Sequence, residues 1–290
     1  MRIEARGKIN WTLDILGRRP DGYHLMDMLL QSVSLADTIC LEPGEGLTLS
    51  APGCPWLPTG PENLMMQAAA AMQKAAGTRR GIAMTLVKRL PAGAGMGGGS
   101  ADAAAVIAGL NRLWSLGMTQ AEMEALGVSL GADVPFCLRG GLCRVRGIGE
   151  ELESLPCEKL YWLVVAQPCR SLSTRKVFEA FAGRPPQAQT RPRTEAARQA
   201  LAQGDIPALI RSLGNVLQPV SQGFRPEIGR AVEALTGQGA LAALMTGSGS
   251  AVFGMFASAR EARRALAGLS AWRVRHMMHT CREGLIFTEG

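Results

Sequence analysis

The chain has 290 residues, 47% hydrophobic and 19% charged, with a formal net charge of +7, the composition of an ordinary soluble globular protein with one large or two ordinary domains. The basic excess is mostly arginine, since Lys8, Lys74, Lys88, Lys159 and Lys176 are the only lysines, and it suits an anionic ligand. With no basic helix face, aromatic-rich basic strand or zinc-finger spacing, the common nucleic-acid modules are excluded.

MRIEARGKIN lacks an apolar leader core, which points to a cytoplasmic protein. Residues Ile3 to Leu16 predict a strand pair or a strand and its extension, interrupted by GKIN, Gly7 to Asn10. GRRPDGYH, Gly17 to His24, is a turn by composition, and LLQSVSLADTICLEP resumes as strand. Asn63 to Ala76 is Ala- and Met-rich and helical, and GIAMTLVKRLP, Gly81 to Pro91, is a strand ending at Pro91. Ala104, Ile107, Ala108, Leu110, Leu113 and Trp114 fall at helical spacing, so Ser100 to Trp114 is predicted as a helix with one apolar face. Ser100 is its expected N-cap, with Asp102 in the first turn.

GMTQAEMEAL is helical, its glutamates read as a solvated face, and LYWLVVAQP, Leu160 to Pro168, is an apolar strand. Gly183 to Thr194 is Pro/Arg-rich and expected to be exposed or disordered. Helical patterns follow, and then Leu241 to Ala259, uncharged but split by TGSGS, reads as strand, loop, strand rather than a membrane span. AREARRALAGL is the final predicted helix. A composition change at Ser154 to Lys159 sets the expected boundary between domains 1–156 and 157–290. The seven scattered cysteines include no C-x-x-C pair and are expected as reduced thiols.

Between the Gly81 strand and the following helix lies PAGAGMGGGSA, Pro91 to Ala101. A glycine loop that opens a helix is often a phosphate cradle and otherwise a flexible turn; placed between a strand and a helix it favours the cradle, because residues without Cβ let backbone N–H groups approach an anion at the positive end of the helix dipole. GAGMGG fits G-x-G-x-x-G, but the loop lies a third of the way along the chain and the position about twenty residues on falls inside a helix, against a dinucleotide fold. No GK[ST] follows, which excludes a Walker loop. Three further stretches carry chemistry: GKIN with Lys8 and Asn10, GADVPF with Asp133 in a turn held by Pro135, and the Gly/Ser loop TGSGSAVFG. His276 and His279 have metal-compatible spacing but no third ligand nearby, so they read as structural and no protein metal site is expected.

In this order the stretches resemble the GHMP kinases, the family of galactokinase, homoserine kinase, mevalonate kinase and phosphomevalonate kinase, from Lys8 to about Gly254. RPDGYH and the triple-glycine GMGGGS are similar to the branch acting on a cytidine-diphosphate conjugate of methylerythritol in the non-mevalonate isoprenoid pathway. The resemblance implies a two-domain α+β GHMP kinase fold, with an α/β sandwich as its C-terminal domain and the site in the cleft between domains. It implies ATP and Mg²⁺, with the nucleotide on Pro91, Ala92, Gly93, Ala94, Gly95, Met96, Gly97, Gly98, Gly99, Ser100 and Ala101, and with Asn63 also in contact. Asp133 would accept or orient the proton of the acceptor 2-hydroxyl, and Lys8 would keep Asp133 ionised and offset developing charge. Asn10, Tyr23, His24, Thr174 and Phe178 would line the small-molecule substrate site, Phe178 stacking on the cytosine.

Two positions depart from the family pattern. Ala101 stands where a second serine is usual, and Leu30 where an aromatic usually flanks the base. A sister kinase for another small alcohol and a catalytically silent sensor are the alternatives; RPDGYH opposes the first, and the presence of both Lys8 and Asp133 the second. No nucleic-acid or membrane partner is expected, and the protein would be a monomer or homodimer.

Overall fold

The computed structural model describes residues 1–182, 191–270, 272 and 274–288. Its first half runs β1 (Arg2–Arg18), β2 (His24–Gly44), β3 (Leu47–Ser50), α1 (Leu64–Ala75), β4 (Gly81–Val87), α2 (Gly98–Leu113), α3 (Gln120–Val128), α4 (Val134–Arg139), β5 (Leu142–Gly147) and β6 (Glu151–Leu155). The second half continues with β7 (Trp162–Gln167), α5 (Thr174–Ala182), α6 (Thr194–Gln203), α7 (Ile206–Ile210), β8 (Gly214–Asn215), α8 (Gln218–Phe224) and α9 (Glu227–Gly237). It closes with β9 (Ala242–Met245), β10 (Val252–Phe256), α10 (Ala259–Gly268), β11 (Val274–His279) and β12 (Leu285–Thr288).

One sheet has the order β12-β1-β2-β4-β3, with β5 and β6 continuing from β2 and β8 parallel to β1; the other is β11-β7-β10-β9. β1 and β2 form one long hairpin. GKIN does not interrupt β1: the register shifts between Arg6 and Lys8, placing a bulge at Gly7. A Cβ at Gly7 would stand 2.5 Å from Leu90 Cδ2, so glycine lets the strand pass close to the start of the glycine loop at Pro91. The turn is shorter than expected, because Gly17 and His24 already belong to the paired strands. The two short strands after α10 were not legible, and β12 returns to pair with β1 from Arg2↔Thr288 to Ala5↔Leu285.

α2 differs from its expectation in two ways. It starts at Gly98 behind a left-handed Gly97 with φ +70°, so Ser100 is its third residue and not its cap. Every residue from Ala101 to Leu110 is buried, so the helix has no solvated face there. A helix apolar on all sides belongs inside, and its alanines let β1, α1 and α4 approach closely. β4 ends at Val87 rather than Pro91, because the backbone N–H groups of Arg89 and Leu90 turn away to Asp37 Oδ1 at 2.6 and 2.8 Å. Glu124, expected on a solvated face, is buried and accepts from Arg139 Nε at 2.8 Å.

A second core joins the two sheets, with Ile9, Trp11, Leu29 and Val33 meeting Leu163, Val165, Phe253 and Met255. Trp11 is edge-on to Tyr161 and Phe253, with ring centroids at 5.4 and 5.7 Å. All seven cysteines are free. Among the described residues no helix is long and apolar enough to cross a membrane. Of the Pro/Arg-rich stretch, residues 183–190 lie outside the described residues; beyond them Arg191 Nη1 donates to Asp14 Oδ1 at 2.7 Å.

Gly109 measures how closely α2 lies on the sheet. A Cβ there would collide with Leu41 Cδ1 and stand 2.7 Å from Ile3 Cδ1. Gly109→Ala is therefore expected to destabilise the protein by about 1–3 kcal/mol despite alanine's better helix propensity, read as a lower denaturant midpoint. An unchanged or higher midpoint would show that the helix has room to move.

Candidate active site

Three backbone segments meet where β1 passes the two glycine loops. In the first loop Gly93, Gly95 and Gly97 have φ of +58°, +79° and +70°, a left-handed conformation that glycine adopts without steric cost. Lys8 N donates to Met96 O at 2.9 Å, and Ala251 N, from the second loop, donates to Ala94 O at 3.1 Å. The loops interlock: a Cβ on Gly95 would collide with the Thr246 carbonyl oxygen, and one on Gly247 would stand 2.8 Å from Gly95 O.

Asn10 pins this junction. Its Oδ1 accepts from Lys8 Nζ at 2.8 Å, Gly247 N at 2.9 Å and Thr246 Oγ1 at 3.1 Å, while its own N–H donates to Thr246 Oγ1 at 3.1 Å. Lys8 is buried, and its Nζ reaches Asp133 Oδ2 at 3.7 Å. Asp133 occupies the N-cap position of α4 but makes no side-chain capping bond, so its carboxylate is not spent on the helix.

Beside this group opens a cleft of about 920 Å³, in the range of small-molecule sites. Lys8, Asn10, Gly95, Ser100 and Asp133 line its loop side, and Tyr23, His24, Thr174 and Phe178 line the side toward the hairpin tip. Val177 and Phe181 bury the inner face of α5, which turns Phe178 outward to meet the His24 ring at a centroid distance of 5.1 Å. Thr174 Oγ1 and Ser248 Oγ are 2.8 Å apart, tying α5 to the second glycine loop. Burial, and then the Arg18 charge, push the His24 pKa below its ordinary value, so the ring is neutral at physiological pH. Its Nε2 is buried and has no hydrogen-bond partner among the described residues.

Other expected residues lie behind this surface. Ala94, Met96 and Ala101 are buried in the core, and Pro91, Ala92, Gly93, Gly97, Gly98 and Gly99 shape the loop without lining the cleft. Ala101 points inward, so the hydroxyl its serine counterpart would carry is missing from the core and not from the cleft, where Ser100 stands. Leu30 is likewise in the core and does not line the cleft. Asn63 caps α1: its Oδ1 accepts from Met65 N at 2.9 Å and its Nδ2 donates to Pro58 O at 2.7 Å. His276 and His279, three apart on a strand, face opposite sides and cannot close on one ion.

Sequence reasoning missed an ionic cluster beneath the loop. Lys88 Nζ lies 2.5 Å from Asp37 Oδ2 and 2.7 Å from Asp102 Oδ2. Burial opposes the Lys88 charge, but the two carboxylates outweigh it and raise its pKa. Asp102 is pushed up to about 7, chiefly by burial, with Lys88 opposing and Asp37 adding to the rise. No spacing could announce it, because the partners are 51 and 14 residues apart.

The model of the GHMP kinases N terminal domain matches residues 63–141, and that of the GHMP kinases C terminal domain matches residues 197–273. The chain belongs to the GHMP kinase family. Within that family it is 43% identical to 4-diphosphocytidyl-2-C-methyl-D-erythritol kinase of Moorella thermoacetica, over 91% of this chain and 93% of that protein. The enzyme of the same name from Symbiobacterium thermophilum is 41% identical over 96% of this chain and 100% of its own. A crystal structure of 4-(cytidine 5'-diphospho)-2C-methyl-D-erythritol kinase aligns with a TM-score of 0.82 at 34% identity, covering 97% of this chain and 99% of that one. Homoserine kinase from Cytophaga hutchinsonii aligns at 0.78 and 18% identity, over 99% and 96% of the two chains, a likeness of fold. The two-domain GHMP kinase fold, a mixed arrangement of sheets and helices, is thus the one expected from the motifs.

The interlocked loops give a test of the junction. Gly95→Ala is expected to cost more than about 2 kcal/mol and to abolish nucleotide binding, since the methyl meets both a left-handed backbone and the Thr246 carbonyl. Thermal unfolding and calorimetric titration with ADP check it; a stable, nucleotide-binding variant would refute the interlock.

Proposed function

We propose that this protein is an ATP-dependent kinase that phosphorylates the 2-hydroxyl of 4-diphosphocytidyl-2-C-methyl-D-erythritol, giving the 2-phosphate and ADP in the non-mevalonate route to isoprenoid precursors. The observation that carries this reading is one cleft holding both the Lys8–Asp133 pair beside a glycine loop and the His24–Phe178 pair with its unpartnered Nε2. The first pair suits phosphoryl transfer to a hydroxyl. The second suits a nucleobase, which needs an aromatic face and a directional hydrogen bond.

Phosphoryl transfer calls for positioning and charge neutralisation more than for covalent chemistry. The ATP phosphates would rest on the loop Pro91 to Ala101 at the positive end of α2, where a left-handed Gly97 leaves the first backbone N–H groups of the helix free to donate. Asp133, with its carboxylate free of capping duty, would receive or orient the proton of the 2-hydroxyl as the oxygen attacks the γ-phosphorus. Lys8, fixed by Asn10, would stabilise the charge building between the two. A Mg²⁺ ion would be carried mainly by substrate phosphates and one or two carboxylates. Asp133, within reach of the loop, is the protein group that would hold it. When bound, Mg²⁺ supplies neutralisation of phosphate charge.

His24 and Tyr23 at the hairpin tip and Phe178 and Thr174 on α5 would enclose the cytosine. The reading joins a domain of residues 1–156, bearing loop, lysine and aspartate, to a domain of residues 157–290 that brings Thr174 and Phe178. It describes a cytoplasmic enzyme, monomer or homodimer, acting on a small molecule.

A coupled assay of ADP release is expected to show turnover with the cytidine-diphosphate conjugate and none with homoserine or mevalonate; no ADP from the conjugate would end this reading. Asp133→Asn should lower kcat by about a thousandfold while ADP still binds, and near-normal turnover would remove Asp133 from the chemistry. Phe178→Ala should raise KM for the conjugate by about 5- to 150-fold, the loss of one base stack, with KM for ATP unchanged.

A further inference from the structure

The cluster beneath the loop touches both of its ends. Asp37 Oδ1 accepts the N–H groups of Arg89 and Leu90, at the entrance to the loop, at 2.6 and 2.8 Å. Asp102 sits in the helix that leaves the loop, and Lys88 Nζ bridges the two carboxylates. A Cβ on Gly98 would stand only 3.0 Å from that Nζ, so the ammonium lies directly against the backbone at the start of α2.

The cluster is not balanced. It holds two carboxylates and one ammonium, the three side chains are at most 6% exposed, and Asp102 Oδ1 is buried with no hydrogen-bond partner among the described residues. Among the described residues the cation next to it is Lys8, whose ammonium is already engaged by Asn10 Oδ1 and Asp133 Oδ2. α1 buries Met65, Ala68, Ala69 and Met72. α4 presents Cys137, a thiol kept protonated by burial, which senses Asp133, Lys8 and Asp102. A buried excess carboxylate beneath an anion cradle opposes the arrival of phosphates.

We propose that nucleotide binding at the phosphate loop is coupled to uptake of one proton by the Asp37–Lys88–Asp102 cluster, with Asp102 as the acceptor and Lys88 as the residue that positions it. The proton comes from solvent and bonds to an Asp102 carboxylate oxygen; no other bond changes. Neutralising Asp102 leaves the cluster with no net charge, and the loop keeps its shape because Lys88 still joins Asp37 to the helix. The upward-shifted Asp102 pKa of about 7 places this proton within reach at neutral pH. The inference rests on the reading that ATP phosphates occupy the loop.

The test is calorimetric titration of the full chain with ADP and Mg²⁺ at pH 7.5 in HEPES and in Tris, two buffers of different ionisation enthalpy. The expected result is a binding enthalpy that differs between buffers with the sign of proton uptake, and a Kd that weakens by up to about tenfold per pH unit above pH 7. Asp102→Asn should bind ADP with neither the buffer difference nor the pH slope, whereas a merely structural Asp102 would alter stability and leave the proton count unchanged. Equal enthalpies in the two buffers for the wild-type chain, a measurement that needs no variant, would overturn the inference. So would proton uptake that persists in Asp102→Asn. Absence of any binding heat would overturn the nucleotide reading along with it.

Discussion

The oxygen of one buried amide organises the site. Asn10 Oδ1 takes three donors, from the ammonium of Lys8 and from the backbone and hydroxyl of the second glycine loop. A carbonyl oxygen with this much demand on it cannot rotate without stranding buried donors, and each stranded donor costs on the order of 1–3 kcal/mol. The long hairpin, the first glycine loop and the C-terminal sheet are therefore held in one arrangement by a single side chain. The Lys8–Asp133 pair inherits its geometry from that arrangement, because Asn10 Oδ1 holds the ammonium that meets Asp133.

Rigidity is built into the helix behind the loop as well. α2 is made of alanine and glycine where other helices carry a polar face, which lets it be packed on every side. Its N-cap, Gly97, offers no side chain to hold the N-terminus. That task falls to glycines of fixed handedness and to the ions beneath them, so the glycine loop is shaped from below.

Local features were legible in the sequence and long-range ones were not. The helix at Asn63, the strand at Gly81 and the strand-loop-strand at TGSGS follow from periodicity and turn residues, and each stands close to where it was expected. The motifs GKIN, GADVPF and RPDGYH brought Lys8, Asn10, Asp133, Tyr23 and His24 to one cleft. The ion cluster escaped notice because Asp37 and Lys88 meet only once β2 and β4 are paired. Glu124 looked solvated because its partner Arg139 lies in another helix. The helix start was misplaced by two residues because Ser100 has the chemistry of a cap, while a left-handed glycine supplied the geometry. The last two strands carry too few alternating residues to be seen alone, and they exist because β7 and β1 offer them edges.

The pairing of β12 with β1 also orders events in time. Synthesis proceeds from the amino end, so the strand bearing Lys8 and Asn10 leaves the ribosome with one flank unpartnered. Its first residues, Arg2 to Ala5, wait for nearly the whole chain before residues 285–288 can cover that flank. Contacts of such sequence separation are slow to close and leave an edge open to unwanted strand pairing. The start of the strand that carries Lys8 is thus among the first segments to be made and the last to be sealed, and a nascent chain stalled short of β12 leaves that end of the sheet unfinished.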